Sequence, residues 1–136
     1  MHHSYTFPKS EHLFGEITVS HLYTRGSAFI AYPFRVVYTL DRNDSEVAAR
    51  VLISVPKRKF KRAVKRNRIK RLIRESYRKN KLLLIDQLNE RGLRVKLAFN
   101  YVADEELDFA TFEKKMKLAL TKLSEKIAQD QPHENI

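Results

Sequence analysis

Apolar and polar positions alternate most regularly between Leu93 and Tyr101, where every second residue is apolar or aromatic. A period of two is typical of a β-strand with one buried face. From Phe109 to Ile127 the apolar residues recur every three or four positions. This period predicts an amphipathic helix that starts after the acidic residues at 104–108.

The N-terminal third of the chain has a less regular pattern. Apolar residues approximate a helical period over Lys9–Arg25, and Gly26 is a suitable stop for that helix. The segment Ala28–Leu40 is rich in aromatic and β-branched residues, as strands are. Pro33 interrupts it, so we expect the strand itself to run over Phe34–Leu40.

Turn-forming residues at 41–45 separate this strand from Ala48–Val55, and the two strands together predict a β-hairpin. A basic loop then spans Lys57–Arg62, and a strongly helical pattern covers Ala63–Lys79. One or two further helical turns are expected over Lys81–Glu90.

The predicted order of elements is therefore α-β-β-α-β-α. Because the strands are too few and too widely spaced for a sandwich of two sheets, we predict an α+β fold in which helices pack on a small antiparallel or mixed sheet. The 136 residues, of which 43% are hydrophobic, suffice for one domain, which we place at residues 5–128 with a frayed tail at 129–136.

Composition excludes several classes of protein. The chain has no cysteine, so neither a disulfide framework nor a thiolate zinc site can form. It has no apolar run of transmembrane length and no signal-peptide pattern, which predicts a cytoplasmic protein without a membrane partner. The five histidines lack metal-ligand spacing, and the acids at 104–108 are better explained as helix-capping residues than as metal ligands.

The net charge of +11 arises from one segment, because the rest of the chain is slightly negative. Lys57–Lys81 contains 14 basic residues and a single acid, whereas the rest of the chain is almost neutral. A concentration of positive charge of this kind attracts polyanions.

A helical wheel of Ala63–Lys79 places Ile69, Leu72, Ile73 and Ser76 on one side. The opposite side carries five polar residues: Asn67, Lys70, Arg71, Arg74 and Arg78. Like charges recur at i,i+4 along this helix and destabilise it unless an anion such as phosphate compensates. A merely solvated face is the alternative, and Asn67 could either read a base edge or satisfy the backbone.

The run from Lys65 to Glu75, Lys-Arg-Asn-Arg-Ile-Lys-Arg-Leu-Ile-Arg-Glu, closely resembles the signature of the bacterial ribonuclease P protein subunit. In that family an Arg-Asn-Arg run opens a basic helix. Ala63 and Val64 before the run, with the strand and basic loop upstream, are similar to the family as well. The loop departs from it, because Lys61 and Arg62 stand where the family usually has Gly-Asn. The resemblance covers roughly residues 7–127.

The resemblance implies an α/β sandwich, a ribosomal-protein-like fold with a left-handed βαβ crossover. It also implies a subunit of an RNA-dependent endoribonuclease, with ribonuclease P RNA and precursor tRNA as partners and no DNA partner. The RNA, with Mg²⁺, would perform the hydrolysis that frees the tRNA 5′ end, and no catalytic residue or tightly held metal is expected in the protein.

Carried over by motif, the resemblance implies two groups of site residues. RNA contacts are expected from Lys57, Arg58, Lys59, Arg66, Asn67, Arg68, Lys70, Arg71, Arg74 and Arg78. A cleft for the single-stranded 5′ leader is expected to be lined by Val36 and Tyr38, with Tyr23 and Phe29 nearby.

Other interpretations stay open at this point. Each aromatic residue of the predicted cleft has a core position as its alternative, because half of the residues of a strand face inward. A plain RNA-binding module, such as a ribosomal protein, would show the same basic helix. A DNA-binding helix-turn-helix is disfavoured, because the basic helix follows a strand and a loop rather than a short helix.

Overall fold

The computed structural model describes residues 6–42 and 47–129. Within these ranges one mixed sheet is formed by β1 (Ser27–Ala31), β2 (Phe34–Arg42), β3 (Ala49–Ser54) and β4 (Leu93–Tyr101), in the spatial order β1-β2-β4-β3. β2 runs antiparallel to both β1 and β4, whereas β3 is parallel to β4.

Helices cover both faces of this sheet: α1 (Glu16–Arg25), α2 (Ala63–Asn80), α3 (Leu82–Arg91) and α4 (Phe109–Gln129). The main core lies between the sheet and α2, α3 and α4, and it includes Val36, Tyr38 and Phe99 from the strands. The neighbouring strand positions point the other way, where Val37 and Ala98 pack with Leu22 of α1. The sheet therefore separates α1 from the other three helices.

The α+β class and the small mixed sheet are confirmed. β4 has the predicted bounds, and α2 extends the predicted helix by one residue. The apolar stripe of α4 is buried from Phe112 to Ile127, and Asp108 caps this helix by accepting a hydrogen bond from the Thr111 N–H at 2.8 Å. In the described part of the chain, no helix has both the length and the apolar character needed to cross a membrane.

The first predicted helix is wrong in its N-terminal half. Lys9–Glu11 forms a short 3-10 helix, and His12 then lies extended and bridges to Val51 beside β3. Gly15 has a φ of 100°, a conformation that L side chains rarely adopt, and α1 begins only after it. The helix ends at Gly26 as predicted.

The predicted hairpin is also wrong. Ala28–Leu40 contributes two strands instead of one, β1 and β2, which turn around a cis Tyr32–Pro33 peptide bond. β3 does not pair with β2, because β4 lies between them and pairs with both. The observed order is thus α-β-β-β-α-α-β-α. Of the predicted tail, Gln129 is the last residue of α4, and residues 130–136 lie outside the described residues.

Candidate RNA-binding surfaces

The basic helix α2 has one apolar side and one basic side, as the sequence predicts. Ile69, Ile73 and Tyr77 are fully buried against the sheet and α4. Its first turn has no acidic residue and no side-chain cap, so the partial positive charge of the helix N-terminus adds to that of the surrounding cations. One side of α2 therefore anchors it, and the other is available to an anion.

Three cations lie on the outward side of α2. Arg71 and Arg74 are exposed and Lys70 is half-buried. Within residues 6–42 and 47–129, none of the three lies within ion-pairing distance of a carboxylate. Asn67 is exposed one turn earlier. We call Asn67, Lys70, Arg71 and Arg74 the basic face.

Other predicted RNA contacts on α2 are engaged within the protein. Arg66 donates hydrogen bonds to the carbonyls of Phe60 and Lys61, at 2.9 and 3.0 Å. These bonds tie the basic loop to the first turn of α2. Arg78 forms an ion pair with Glu75, at 2.6 Å, on the same helix.

Arg68 forms a bidentate ion pair with a residue far away in the sequence. Its Nε and Nη2 atoms each lie 2.8 Å from a carboxylate oxygen of Glu106. The hydrogen bond to the carboxylate raises the pKa of the Arg68 guanidinium, and Arg68 in turn holds the pKa of Glu106 below its ordinary range. The planar fork of this arginine is therefore occupied in the free protein.

The basic loop has a buried anchor and exposed cations. Phe60 is buried and its ring centroid lies 5.8 Å from that of Tyr101. Lys57, Arg58 and Lys59 are exposed, and Lys59 pairs with Asp104 at 3.0 Å. Lys57 and Arg58 remain available to a ligand.

Three of the four residues predicted to line the leader cleft are in the core, and that assignment is wrong. Val36, Tyr38 and Phe29 are 0%, 3% and 8% exposed and belong to the core between the sheet and α2–α4. Tyr38 and Phe29 pack edge to face with their ring centroids 6.2 Å apart. Their strand positions point away from α1, so they cannot stack on a base.

Of the four predicted cleft residues, Tyr23 alone lies on the side of the sheet that carries α1. It projects from α1, is partly exposed, and donates a hydrogen bond to the Asn100 side-chain carbonyl on β4. Burial raises the pKa of the Tyr23 hydroxyl. The Asn100 amide is also fixed, because it donates to the carbonyl of Arg35 at 3.0 Å.

A groove that sequence reasoning missed lies on this same face. It has a volume of about 1000 Å³ and runs beside the segment that precedes α1. Its acid, Asp41, is paired with Lys96 at 3.1 Å. Phe14 at its rim is 73% exposed. Its basic and aromatic lining comes from Lys9, His12, Phe14, Arg50, Arg94 and Lys96. We call this the α1-side groove.

No group of three or more side chains in the described ranges has the residue types and spacing to hold a metal ion. The acids predicted to cap a helix are instead divided between two roles. Asp108 caps α4, and Asp104 and Glu106 pair with Lys59 and Arg68.

The sequence and the fold are both similar to those of known proteins. The family model described as Ribonuclease P matches residues 7–124. A ribonuclease P protein component from Porphyromonas gingivalis is 45% identical over 116 residues, which is 85% of each chain. One from Chlorobaculum tepidum is 36% identical over 103 residues, 71% of this chain and 67% of that protein.

Two solved structures share the fold at low sequence identity. The RNase P protein of Staphylococcus aureus has a TM-score of 0.64 at 20% identity, over 85% of this chain and 96% of that one. The RNase P protein of Thermotoga maritima has a TM-score of 0.61 at 23% identity, over 82% and 96%. The family match over most of the chain and the identity to curated relatives agree, and this chain belongs to the ribonuclease P protein family.

Proposed function

We propose that this chain is the protein subunit of ribonuclease P, which holds the catalytic RNA with the basic face and the single-stranded 5′ leader of precursor tRNA in the α1-side groove. The hydrolysis that frees the mature 5′ end belongs to the RNA and its Mg²⁺. The protein contributes binding, orientation and positive charge, and it acts where its RNA partners are, in the cytoplasm.

The unpaired cations of the basic face carry this proposal. Lys70, Arg71 and Arg74 project from a helix whose other side is fixed in the core. Their mutual repulsion is offset when phosphates bind between them, and arginine forks suit phosphate geometry. Asn67 supplies a donor and an acceptor beside them for a base edge or a ribose hydroxyl.

The chemistry of the α1-side groove suits a single strand of RNA. Arg50, Arg94 and Lys96 line it from the sheet, and Phe14 offers an exposed aromatic ring at the rim. Proteins that bind single strands combine cationic grooves that follow the backbone with aromatic rings on which bases stack.

The basic face and the α1-side groove lie on opposite faces of the sheet. A ligand bound to one surface therefore does not cover the other surface. The groove opens on the side of α1, and α2 packs on the side of α3 and α4. A folded RNA on the basic face therefore leaves the groove open to the leader.

Reconstitution tests the proposal. The chain should bind a bacterial ribonuclease P RNA and, with Mg²⁺, increase cleavage of precursor tRNA at the mature 5′ end, whereas the protein alone should leave the substrate intact. A double variant, Arg71→Ala with Arg74→Ala, should weaken binding to that RNA by about ten-fold, since two phosphate contacts are lost.

The matched control removes the same charge from α4, with Lys114→Ala and Lys115→Ala, on a helix that packs its apolar stripe in the core. Equal losses in the two double variants would show that only overall charge matters. Cleavage by the RNA-free protein, or no effect of the chain on the RNA, would overturn the proposed function.

A further inference from the structure

The segment ahead of α1, residues 6–14, forms one wall of the α1-side groove. Several lining residues of the groove, His12 and Phe14 among them, belong to it. Its regular structure is limited to a 3-10 helix of three residues and a short pairing with β3, in which the Leu13 N–H donates to the Val51 carbonyl at 2.9 Å. A segment with so few backbone hydrogen bonds opens easily unless side chains hold it. We call residues 6–14 the N-terminal segment.

The N-terminal segment passes the β3 edge of the sheet from one face to the other. Phe7, near its start, packs against the main core on the side of α2 and α3. Leu13, near its end, is buried in the second cluster, on the side of α1. The point at which the segment passes the edge therefore decides where Phe14, the next residue, stands at the groove rim.

A buried lysine on the side of the sheet opposite to α1 holds this segment. Lys81 lies where α2 ends and α3 begins, and its side chain is 4% exposed. The ammonium donates to the Thr6 carbonyl and lies 2.8 Å from the Glu11 carboxylate, which is itself only 17% exposed. The lysine backbone is fixed, because its carbonyl accepts hydrogen bonds from the Leu84 and Ile85 N–H groups at 2.9 Å. A fixed point of the helical layer therefore binds the N-terminal segment at two places.

Burial makes this attachment strong. Exposed ion pairs contribute little to stability, whereas a buried charge that loses its partner is strongly disfavoured. Movement of the segment away from Lys81 would leave the Glu11 carboxylate without its partner. The Phe7 ring adds a second attachment, because its centroid lies 4.2 Å from that of His12 and 5.3 Å from that of Tyr77 on α2. The segment therefore has one favoured position.

We propose that Lys81 is a positioning residue for leader binding, which sets the place of the groove wall from the opposite side of the sheet. Its side chain is too buried to contact RNA, although it belongs to the same basic segment of the sequence as the cations of the basic face. It acts through the N-terminal segment on Phe14, the exposed ring on which a leader base stacks. This inference rests on the proposed binding of the leader in the α1-side groove.

Amide hydrogen exchange of the protein without RNA tests the positioning itself. Lys81→Met replaces the ammonium by an apolar side chain of similar length, and Leu123→Ala, a core substitution on α4, is the control for lost stability. Both variants are measured at a temperature where thermal melts show them to be folded. Lys81→Met should speed exchange of the Leu13 N–H by about ten-fold relative to that of the Val95 N–H on β4, whereas Leu123→Ala should leave this ratio unchanged. An unchanged ratio in Lys81→Met overturns the inference.

Binding by the reconstituted complex with ribonuclease P RNA tests the consequence for the leader. The ratio of precursor to mature tRNA affinity should fall by about five-fold or more in Lys81→Met, the loss expected for one stacked base. Affinity for ribonuclease P RNA itself should change by less than about two-fold, because the basic face is distant and intact. Lys114→Met removes the same charge from an exposed position of α4 and should leave both quantities unchanged. Glu11→Gln, which keeps the shape of the side chain, should lower the precursor ratio in the same direction and serves if Lys81→Met does not fold.

A double-mutant cycle shows whether Lys81 acts through Phe14. Phe14→Ala should lower the precursor ratio in the unaltered protein and have little further effect in the Lys81→Met background, because the ring is then already displaced. Additive losses overturn the inference, and so does an equal loss of ribonuclease P RNA binding, which would make Lys81 part of the surface of α2. If the unaltered complex does not prefer precursor tRNA, the proposed leader site fails as well. A preference that Phe14→Ala lowers and Lys81→Met leaves intact refutes the inference alone.

Discussion

Replacing Phe14 with alanine separates leader binding from folding. The ring is 73% exposed at the rim of the α1-side groove. Because little of it is buried, we expect the free energy of unfolding to change by no more than about 0.5 kcal/mol. A base stacked on the ring would be worth about 1–3 kcal/mol, which corresponds to roughly a 5- to 150-fold loss in affinity for precursor tRNA.

Tyr38 provides the opposite case. Its side chain is 3% exposed and packs against Phe29 inside the core. Tyr38→Ala should lower the free energy of unfolding by about 3–5 kcal/mol, since it leaves a cavity. At a temperature where the variant is still folded, it should not change the ratio of precursor to mature tRNA affinity.

The assay measures the binding of precursor and mature tRNA to the reconstituted complex of protein and ribonuclease P RNA. Phe14→Ala should weaken precursor binding and leave mature tRNA binding unchanged, because mature tRNA has no leader. Equal weakening of both would refute the stacking of a leader base on Phe14. A changed ratio in Tyr38→Ala would refute the assignment of the cleft to the α1 side of the sheet.

Three other substitutions test further parts of the structure. Arg71→Ala should flatten the slope of log K against log salt for ribonuclease P RNA by roughly 0.7–0.9, and an unchanged slope would show that Arg71 meets no phosphate. Lys81→Ala leaves the Glu11 carboxylate, 2.8 Å away, without its buried partner, so urea denaturation should show a loss of about 3–5 kcal/mol; Lys114→Ala is the exposed control. At Gly26 an added Cβ would meet the Leu22 carbonyl oxygen at 2.5 Å and Val37 at 2.7 Å. Gly26→Ala should therefore cost about 1–3 kcal/mol, and a thermal melt like that of the unaltered protein would contradict the close approach of α1 to β2.

Regular periodicity predicts the elements whose burial is one-sided. Every second residue of β4 lies in the main core over nine residues, and α4 buries one stripe, so both elements are visible in the sequence. The hairpin error has a different origin. Adjacent strands in sequence most often pair, and no local pattern shows that β4, from much later in the chain, separates β2 from β3.

Val36 and Tyr38, predicted to line the leader cleft, are buried in the core. The pattern of polar and apolar residues along β2 already indicates this. Its even positions, Phe34 to Leu40, are all apolar or aromatic, whereas Arg35, Thr39 and Asp41 at odd positions are polar. Alternation of this kind predicts that the even-numbered residues lie in the core, and in the structure they are buried. The resemblance to a family favours Val36 and Tyr38 as cleft residues, whereas the alternation along β2 alone predicts that both are buried.

The fold divides the cations of the basic segment among different roles, which a sequence motif cannot show. Arg66 supports the basic loop, Arg68 is held by a carboxylate 38 residues away, and Lys81 is buried against Glu11, 70 residues away. The carboxylates partly neutralise Arg68 and Lys81, whereas Arg66 keeps its charge because its partners are neutral carbonyls. Among the described residues, Lys70, Arg71 and Arg74 have no carboxylate partner and lie on the outward side of α2. Lys65 and Lys79 of the same helix lie over the rings of Phe60 and Phe109. Tertiary contacts therefore determine which cations an RNA can reach. Substitution of the motif's arginines and lysines that have no internal partner should weaken RNA binding and leave folding unchanged.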